Sequence, residues 1–301
     1  MRESADHERP GTLGPGIHGT APVVALLVSM ASVQSGASVA KTLFPVAGVG
    51  GTVALRIGFG TLLLCLFLRP WRLRVRRESW LPLLVYGVSL GTMNGLFYQA
   101  LDRLPIGIAV AVEFIGPLTL AVLTSRRAVD LLWIVLAAAG LALLLPLLHQ
   151  AHVSLTGILF ALGAGTCWAL YIVFGRKVGH QLGPRGVALG SLIAAALIVP
   201  LGLVGAPAAL LSRAVLLRGL AVGTLSTALP YSLEMIALAR LPTRSFSVMM
   251  SLEPAVGALS GLLFLGEELA ATQWAAILLV IVASIGTATT GRQEATAPVP
   301  D

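Results

Sequence analysis

Along the chain, runs of about twenty almost uninterrupted apolar residues alternate with short polar or basic connections. Ten such windows are present, at about 22–41, 48–68, 80–101, 106–125, 128–148, 155–174, 186–204, 219–239, 245–266 and 272–290. A helix rising 1.5 Å per residue needs about 20 residues to cross a hydrocarbon core of ~30 Å, and it satisfies its own backbone polar groups there. The pattern predicts an all-α membrane protein with ten transmembrane helices. Residues 1–21 are polar and rich in Gly and Pro, with Glu3, Asp6 and Glu8. They are expected to form a disordered cytoplasmic tail rather than a signal peptide, and 291–301 a second cytoplasmic tail.

Composition agrees with the pattern. Of 301 residues, 56% are hydrophobic and 11% charged, against roughly 25% charged in an ordinary soluble domain. So few charges exclude a soluble enzyme and a disordered chain. The net charge of +7 raises the question of nucleic acid, but the charges lie between the apolar windows. The tails and the connections after windows 2, 4, 6 and 8 hold fifteen Lys and Arg, including Arg176, Lys177 and Arg185; the alternate connections hold three, Arg103, Arg213 and Arg218. The positive-inside rule then puts both termini in the cytoplasm. The five arginines of 69–77 set topology or meet anionic headgroups. No nucleic-acid partner is implied.

The two halves resemble each other. "ALDRLP" at 100–105 recurs as "ALARLP" at 237–242, and the same offset of 137 carries Pro117 to Pro254 and Asp130 to Glu267. Upstream, "VAL" at 53–55 matches 187–189 at an offset of 134. This divides the chain into 22–148 and 154–290, with five windows each. Because five is odd, the second copy must sit inverted, as in secondary transporters whose site lies at the repeat interface.

Ionisable groups at membrane depth are costly and mark functional positions. Here they are Arg56, Glu113, Glu234 and Glu253. Counting 1.5 Å per residue from the predicted ends, Gln34, Arg56, Asn94 and Glu113 fall roughly 10–12 Å below the outer surface. Tyr231, Glu253 and Trp168 fall in the inner half, with Ser191 beside them and Glu234 somewhat shallower. Two polar layers related by inversion suggest one cavity with an outer and an inner gate. Arg56 keeps its proton and needs an anion, either Glu113 or a substrate carboxylate. Glu113, Glu253 and Glu234 are the proton-coupling candidates, although Glu234 can instead reach toward Arg240 or Arg244. Trp168 and Tyr171, one helical turn apart, either line the cavity or pack. Pro117 and Pro254 free backbone carbonyls mid-span, for a cavity or a packing kink.

Other residues read more simply. Cys65 and Cys167 are small apolar fillers, and all five histidines fall in the tail or in connections, so no metal or cofactor is expected. Lys41 reads as an interfacial cation, Trp71, Trp80, Trp133 and Trp274 as an interfacial belt, and Gly257/Gly261 as a close helix contact.

Long stretches also resemble a known family: "MASVQSGASVAKTLFP" (30–45), "GIAVAVEFIGPL" (107–118), "LSTALPYSLEMIALARLPTR" (225–244) and "SLEPAVGALSGLLFLGE" (251–267). They are similar to the EamA-type branch of the drug/metabolite transporter superfamily, and within it to threonine- and homoserine-exporting members of bacterial inner membranes. The resemblance implies a ten-helix exporter of small zwitterionic amino acids, driven by the proton motive force. Gln34, Arg56, Asn94, Glu113, Trp168, Tyr171, Tyr231 and Glu253 are the expected substrate contacts. Exporters of other amino acids, analogues or drugs are the nearest rivals. An intramembrane enzyme would need a nucleophile or metal constellation, and a receptor or scaffold would need a sizeable soluble domain.

Overall fold

The computed structural model describes residues 17–124, 128–144, 154–204, 206–240, 249–266, 268, 270–272, 274–276, 278–279 and 281–283. Within them it contains helices and turns and no strand. The helices are α1 (Ile17–Lys41), α2 (Phe44–Leu68), α3 (Trp80–Leu101), α4 (Ile106–Glu113), α5 (Ile115–Thr124), α6 (Ala128–Leu144), α7 (Leu155–Leu182), α8 (Pro184–Leu203), α9 (Arg213–Gly223), α10 (Leu229–Arg240) and α11 (Glu253–Leu265). A shorter apolar helix, α12, runs over Trp274–Ala283. Among the described residues, six helical stretches are long and apolar enough to cross a membrane, and four apolar helices are shorter.

Helix limits mostly follow the apolar windows, with instructive departures. Helix α1 begins at Ile17 rather than at 22, so the predicted tail is shorter by a turn; the disorder expected for 1–16 lies outside the described residues. Helix α7 runs two turns past its window, to Leu182. Arg176, Lys177 and His180, expected in a connection, therefore sit on its last turns. The stop is Gly183, at φ 59, followed by Pro184 as the first residue of α8. A glycine at positive φ ends one helix and a proline starts the next.

Among the described residues, three apolar windows are interrupted as α-helices. The fourth breaks at Phe114 between α4 and α5, where Pro117 has no amide for the carbonyl of Glu113. The eighth passes through a π-helical segment, Thr224–Ala228, between α9 and α10. The ninth enters α11 through a 3₁₀ turn, Met250–Leu252, with Pro254 in the first helical turn.

The packing joins helices from the first and second parts of the chain. Helix α3 packs on α7 and α8, while α9, the π segment and α10 pack on α1 and α2; α4 crosses α11, and α2 crosses α8. Close approaches rest on small residues. A Cβ at Gly165 of α7 would collide with the carbonyl oxygen of Glu113, and one at Gly116 with that of Gly165, so the α4–α5 break lies backbone to backbone against α7. Helix α1 clasps the π segment: Ser32 Oγ donates to the Leu225 carbonyl (2.6 Å) and Ser226 Oγ to that of Val33 (3.5 Å).

Cys65 and Cys167 are free thiols, and the described residues contain no cluster of His, Cys, Asp or Glu suited to a metal. Trp71, Trp80 and Trp274 are exposed on the apolar exterior. Lys41 turns inward to the fold, its Nζ donating to the Leu104 carbonyl at 3.3 Å.

Candidate substrate cavity

At the meeting of α1, α2, α3, α7 and α10 with the α4–α5 break and the start of α11 lies a cavity of about 60 Å³, room for a few waters. Its walls include all nine candidates named from the sequence: Gln34, Arg56, Asn94, Glu113, Trp168, Tyr171, Tyr231, Glu234 and Glu253. Val33, Met93, Phe97 and Met250 complete the lining. The two polar layers expected from depth are therefore neighbours around one space. The depths expected from the sequence, ~10–12 Å from opposite surfaces of a ~30 Å core, leave less than ~10 Å between the layers, which long side chains span. Ser191, expected beside the inner layer, is buried but is not among the lining residues; its Oγ has no partner among the described residues.

Arg56 is the cation of this cavity, and its side chain is buried at 5% exposure. Its Nη2 donates to the Ser226 carbonyl (2.8 Å) and its Nε to Thr227 Oγ1 (3.3 Å); its guanidinium carbon lies 5.1 Å from the centre of the Tyr98 ring. The Ser226 carbonyl is available because residue 230, four further along, is a proline. The π segment thus presents a carbonyl and a hydroxyl to Arg56. Among the described residues no carboxylate lies within the 4.0 Å ion-pair distance of Arg56. The ion pair with Glu113 that the sequence allowed is not formed, because the guanidinium is turned to the π segment.

The three carboxylates sit beside the helix irregularities. Glu113 is the last residue of α4, Glu253 the first of α11, and Glu234 lies on α10 just beyond the π segment. All three are buried. Glu234 accepts a hydrogen bond from Ser29 Oγ at 3.0 Å, a partner supplied by α1 that depth counting did not find. Of its alternative partners, Arg244 lies outside the described residues. Phe114, the residue at the α4–α5 break, meets the Trp168 ring edge-on at 5.9 Å, so Trp168 braces the break as well as lining the cavity. Tyr171 stacks on Tyr86 (5.1 Å) with its other side toward the cavity. Asn94 Nδ2 donates to the Leu90 carbonyl (2.8 Å) and to the Tyr231 hydroxyl (3.5 Å).

Three carboxylates face one guanidinium in a desolvated space. Such a set balances its charge by taking up protons, by admitting a cationic group, or both. A zwitterion with a carboxylate for Arg56 and an ammonium for a glutamate suits it chemically. Sequence reading missed Tyr98, Ser226 and Thr227 as supports of Arg56; Pro230, four residues past Ser226, was the available signal.

Residues 155–289 match the EamA-like transporter family. Over 274 residues, 91% of this chain and 93% of theirs, the chain is 57% identical to the threonine/homoserine exporter RhtA of Escherichia coli (strain K12) and 56% identical to RhtA of Salmonella typhimurium (strain LT2). The chain belongs to the EamA-like transporter family. It is therefore a multi-pass membrane transporter rather than an enzyme. An uncharacterized transporter of Bacillus subtilis, YwfM, is 27% identical over 256 residues, 82% of this chain and 86% of that one. A solved crystal structure, 19% identical, covers 89% of this chain and 99% of its own with a TM-score of 0.67, a likeness of fold.

Proposed function

We propose that this EamA transporter is a secondary active exporter of threonine and homoserine across the bacterial inner membrane, driven by the proton motive force. The observation that carries the reading is the cavity: a buried arginine without a carboxylate partner among the described residues, facing three buried glutamates. Arg56 holds the substrate carboxylate, and Glu113, Glu234 or Glu253 receives the ammonium. Proton exchange on Glu113 or Glu253, with Glu234 as the third candidate, couples the cycle to the gradient. The substrates come from the relatives named above, whose identity extends over nine-tenths of the chain.

The architecture that suits this cycle is ten transmembrane helices in two inverted five-helix repeats, 22–148 and 154–290, with both termini cytoplasmic. Two observations support it. The contacts of α3 with α7 and α8 have counterparts in those of α9–α10 with α1 and α2. Moreover Asn94 and Tyr231, equivalents under the 137-residue offset, hydrogen-bond to each other; equivalent residues meet where a two-fold axis passes.

Proteoliposomes containing the purified protein test the function. Labelled threonine and homoserine should exchange across the bilayer, and an imposed pH gradient should accelerate net flux. Exchange unaffected by the gradient would remove the proton from the mechanism; no exchange of either compound would remove the substrate assignment.

A further inference from the structure

The connection between α2 and α3, residues 69–79, holds five arginines and one carboxylate, Glu78. Its path is fixed by the fold. Helix α2 ends at Arg69 in a left-handed conformation (φ 49), the Arg69 amide donates to the Cys65 carbonyl (2.9 Å), and Pro70 is buried in the turn that follows. Residues 73–76 then run without helix, with Leu73 and Arg76 both extended. Side chains of an extended segment point alternately to opposite sides. Leu73 and Val75 pack against the buried cluster of Leu83, Tyr86, Val178 and Leu182, while Arg72, Arg74 and Arg76 are exposed. The result is a comb of guanidiniums, its teeth roughly 7 Å apart along an extended backbone. Two apolar anchors hold it on the first turns of α3 and the last turns of α7. Glu78 offsets little of the charge. Its 3.8 Å contact with Arg76 joins side chains that are 73% and 84% exposed, where an ion pair contributes little.

We propose that this comb binds the headgroup of an anionic phospholipid, with Arg72, Arg74 and Arg76 on its phosphate. Orienting a chain by charge requires only enough positive residues on one side of the membrane. It has no use for Leu73 and Val75 anchoring every second side chain. Phosphate binding does, because guanidinium forks make paired hydrogen bonds to phosphate oxygens when their direction is set beforehand. The surroundings point to a lipid rather than a soluble anion. Trp71 and Trp80, flanking the comb, are exposed, as are Leu66 and Phe67 on the last turn of α2. Tryptophan favours the headgroup level of a bilayer, and an apolar helix exterior faces acyl chains. Thr61 Oγ1 donates to the Ser191 carbonyl (3.1 Å) and Gly50 lies against Gly202, so α2 and α8 run antiparallel and the end of α2 meets the start of α8. Arg185 there, with Arg176 and Lys177 at the end of α7, is exposed on the same end of the molecule and adds positive potential. A headgroup seated on the comb lays its acyl chains along α2. None of these residues lines the cavity, so the proposal does not depend on the cargo.

The test is native mass spectrometry of the full chain in detergent, titrated with dioleoylphosphatidylglycerol or dioleoylphosphatidylcholine. The wild type should hold the anionic lipid about tenfold more tightly or better. Replacing the comb, by Arg72→Gln, Arg74→Gln and Arg76→Gln together, should bring the two lipids to within about twofold of each other. Arg176→Gln, Lys177→Gln and Arg185→Gln together remove the same charge from the same end of the molecule, outside the comb, and should leave at least half of the preference. Excess glycerol phosphate, the headgroup without its chains, should not displace the lipid. Thermal unfolding checks that each variant is folded; if the comb variant is not, Arg74→Gln alone takes its place, and its preference should fall about twofold or more. Equal retention of the two lipids by the wild type overturns the proposal, as does a full preference in a folded comb variant. Equal losses in the two triple variants would mean that charge number alone attracts the lipid. Displacement by glycerol phosphate would mean a site for soluble anions. Either result also overturns it.

Discussion

The cavity is walled by two kinds of helix. Gln34, Arg56, Asn94, Trp168 and Tyr171 stand on α1, α2, α3 and α7 away from any of the three breaks. Glu113, Glu234 and Glu253 stand at or near the α4–α5 break, the π segment and the 3₁₀ entry to α11. The titratable acids are thus carried by the spans whose backbone bonding is interrupted, with Tyr231 of α10 beside them, and Arg56 and the other polar candidates by the rest. Interrupted helices have carbonyls that can change partners, and π segments recur at functional sites for that reason. Under the proposed cycle, the uninterrupted helices hold Arg56 in place while the acids, which meet the ammonium and carry the proton, can shift.

Breaking this division on the rigid side should have the largest effect. Arg56→Lys retains the charge but loses the planar fork that reaches both Ser226 and Thr227. Charge-assisted hydrogen bonds contribute roughly 1.5–3 kcal/mol, so threonine exchange should drop about 10- to 100-fold with expression little changed. Near-normal exchange would leave Arg56 a structural role only.

On the interrupted side the expected loss is of coupling rather than of exchange. Glu113→Gln or Glu253→Gln keeps shape and polarity and removes the titratable proton. Acceleration by a pH gradient should disappear in at least one of them, while exchange without a gradient stays within about threefold of the wild type. If both remain fully gradient-driven, Glu234 is the carboxylate to replace next. If both lose exchange altogether, each of the two acids is indispensable to holding the ammonium, and binding and coupling are not separable at these positions.

How far the sequence revealed this can be judged from particular residues. Depth counting named Arg56 and the three glutamates because a charge inside an apolar window is unmistakable, and α3 begins and ends at the predicted 80 and 101. What holds Arg56 was not legible. Ser226 and Thr227 lie 170 and 171 positions away, and their contact depends on how α9 and α10 cross α2. The length of α7 was misjudged because Arg176 and Lys177 look like an exit from the membrane. Helices continue past the bilayer without difficulty, and Gly183–Pro184 was the true stop signal.

A milder test converts one interrupted span toward a continuous one. Pro230→Ala restores an amide four residues past Ser226, giving that carbonyl a backbone donor in competition with Arg56. Removing a proline from a helix interior should stabilise the protein, since the proline costs about 3 kcal/mol there. The melting temperature in detergent should therefore rise while exchange falls roughly three- to tenfold. A gain in stability with full activity would mean that the π segment serves packing alone.

The smallest effect expected is at Thr227. Its hydroxyl accepts from Arg56 Nε at 3.3 Å, a long bond, while the Ser226 carbonyl holds the other end of the fork at 2.8 Å. Its methyl side packs where a Cβ on Gly60 of α2 would go, so Thr227→Ala would loosen the α2 crossing as well as remove the acceptor. Thr227→Val is the cleaner probe because it keeps the branched shape and deletes only the oxygen. A hydrogen bond of this kind contributes roughly 0.5–1.5 kcal/mol net, and the distance argues for the low end. The guanidinium should stay on Ser226 but tilt more freely, raising the KM for threonine about two- to threefold with the maximal rate nearly unchanged. A loss approaching that of Arg56→Lys would mean that Thr227 itself meets the substrate. No change at all would mean that the Ser226 carbonyl alone positions the cation.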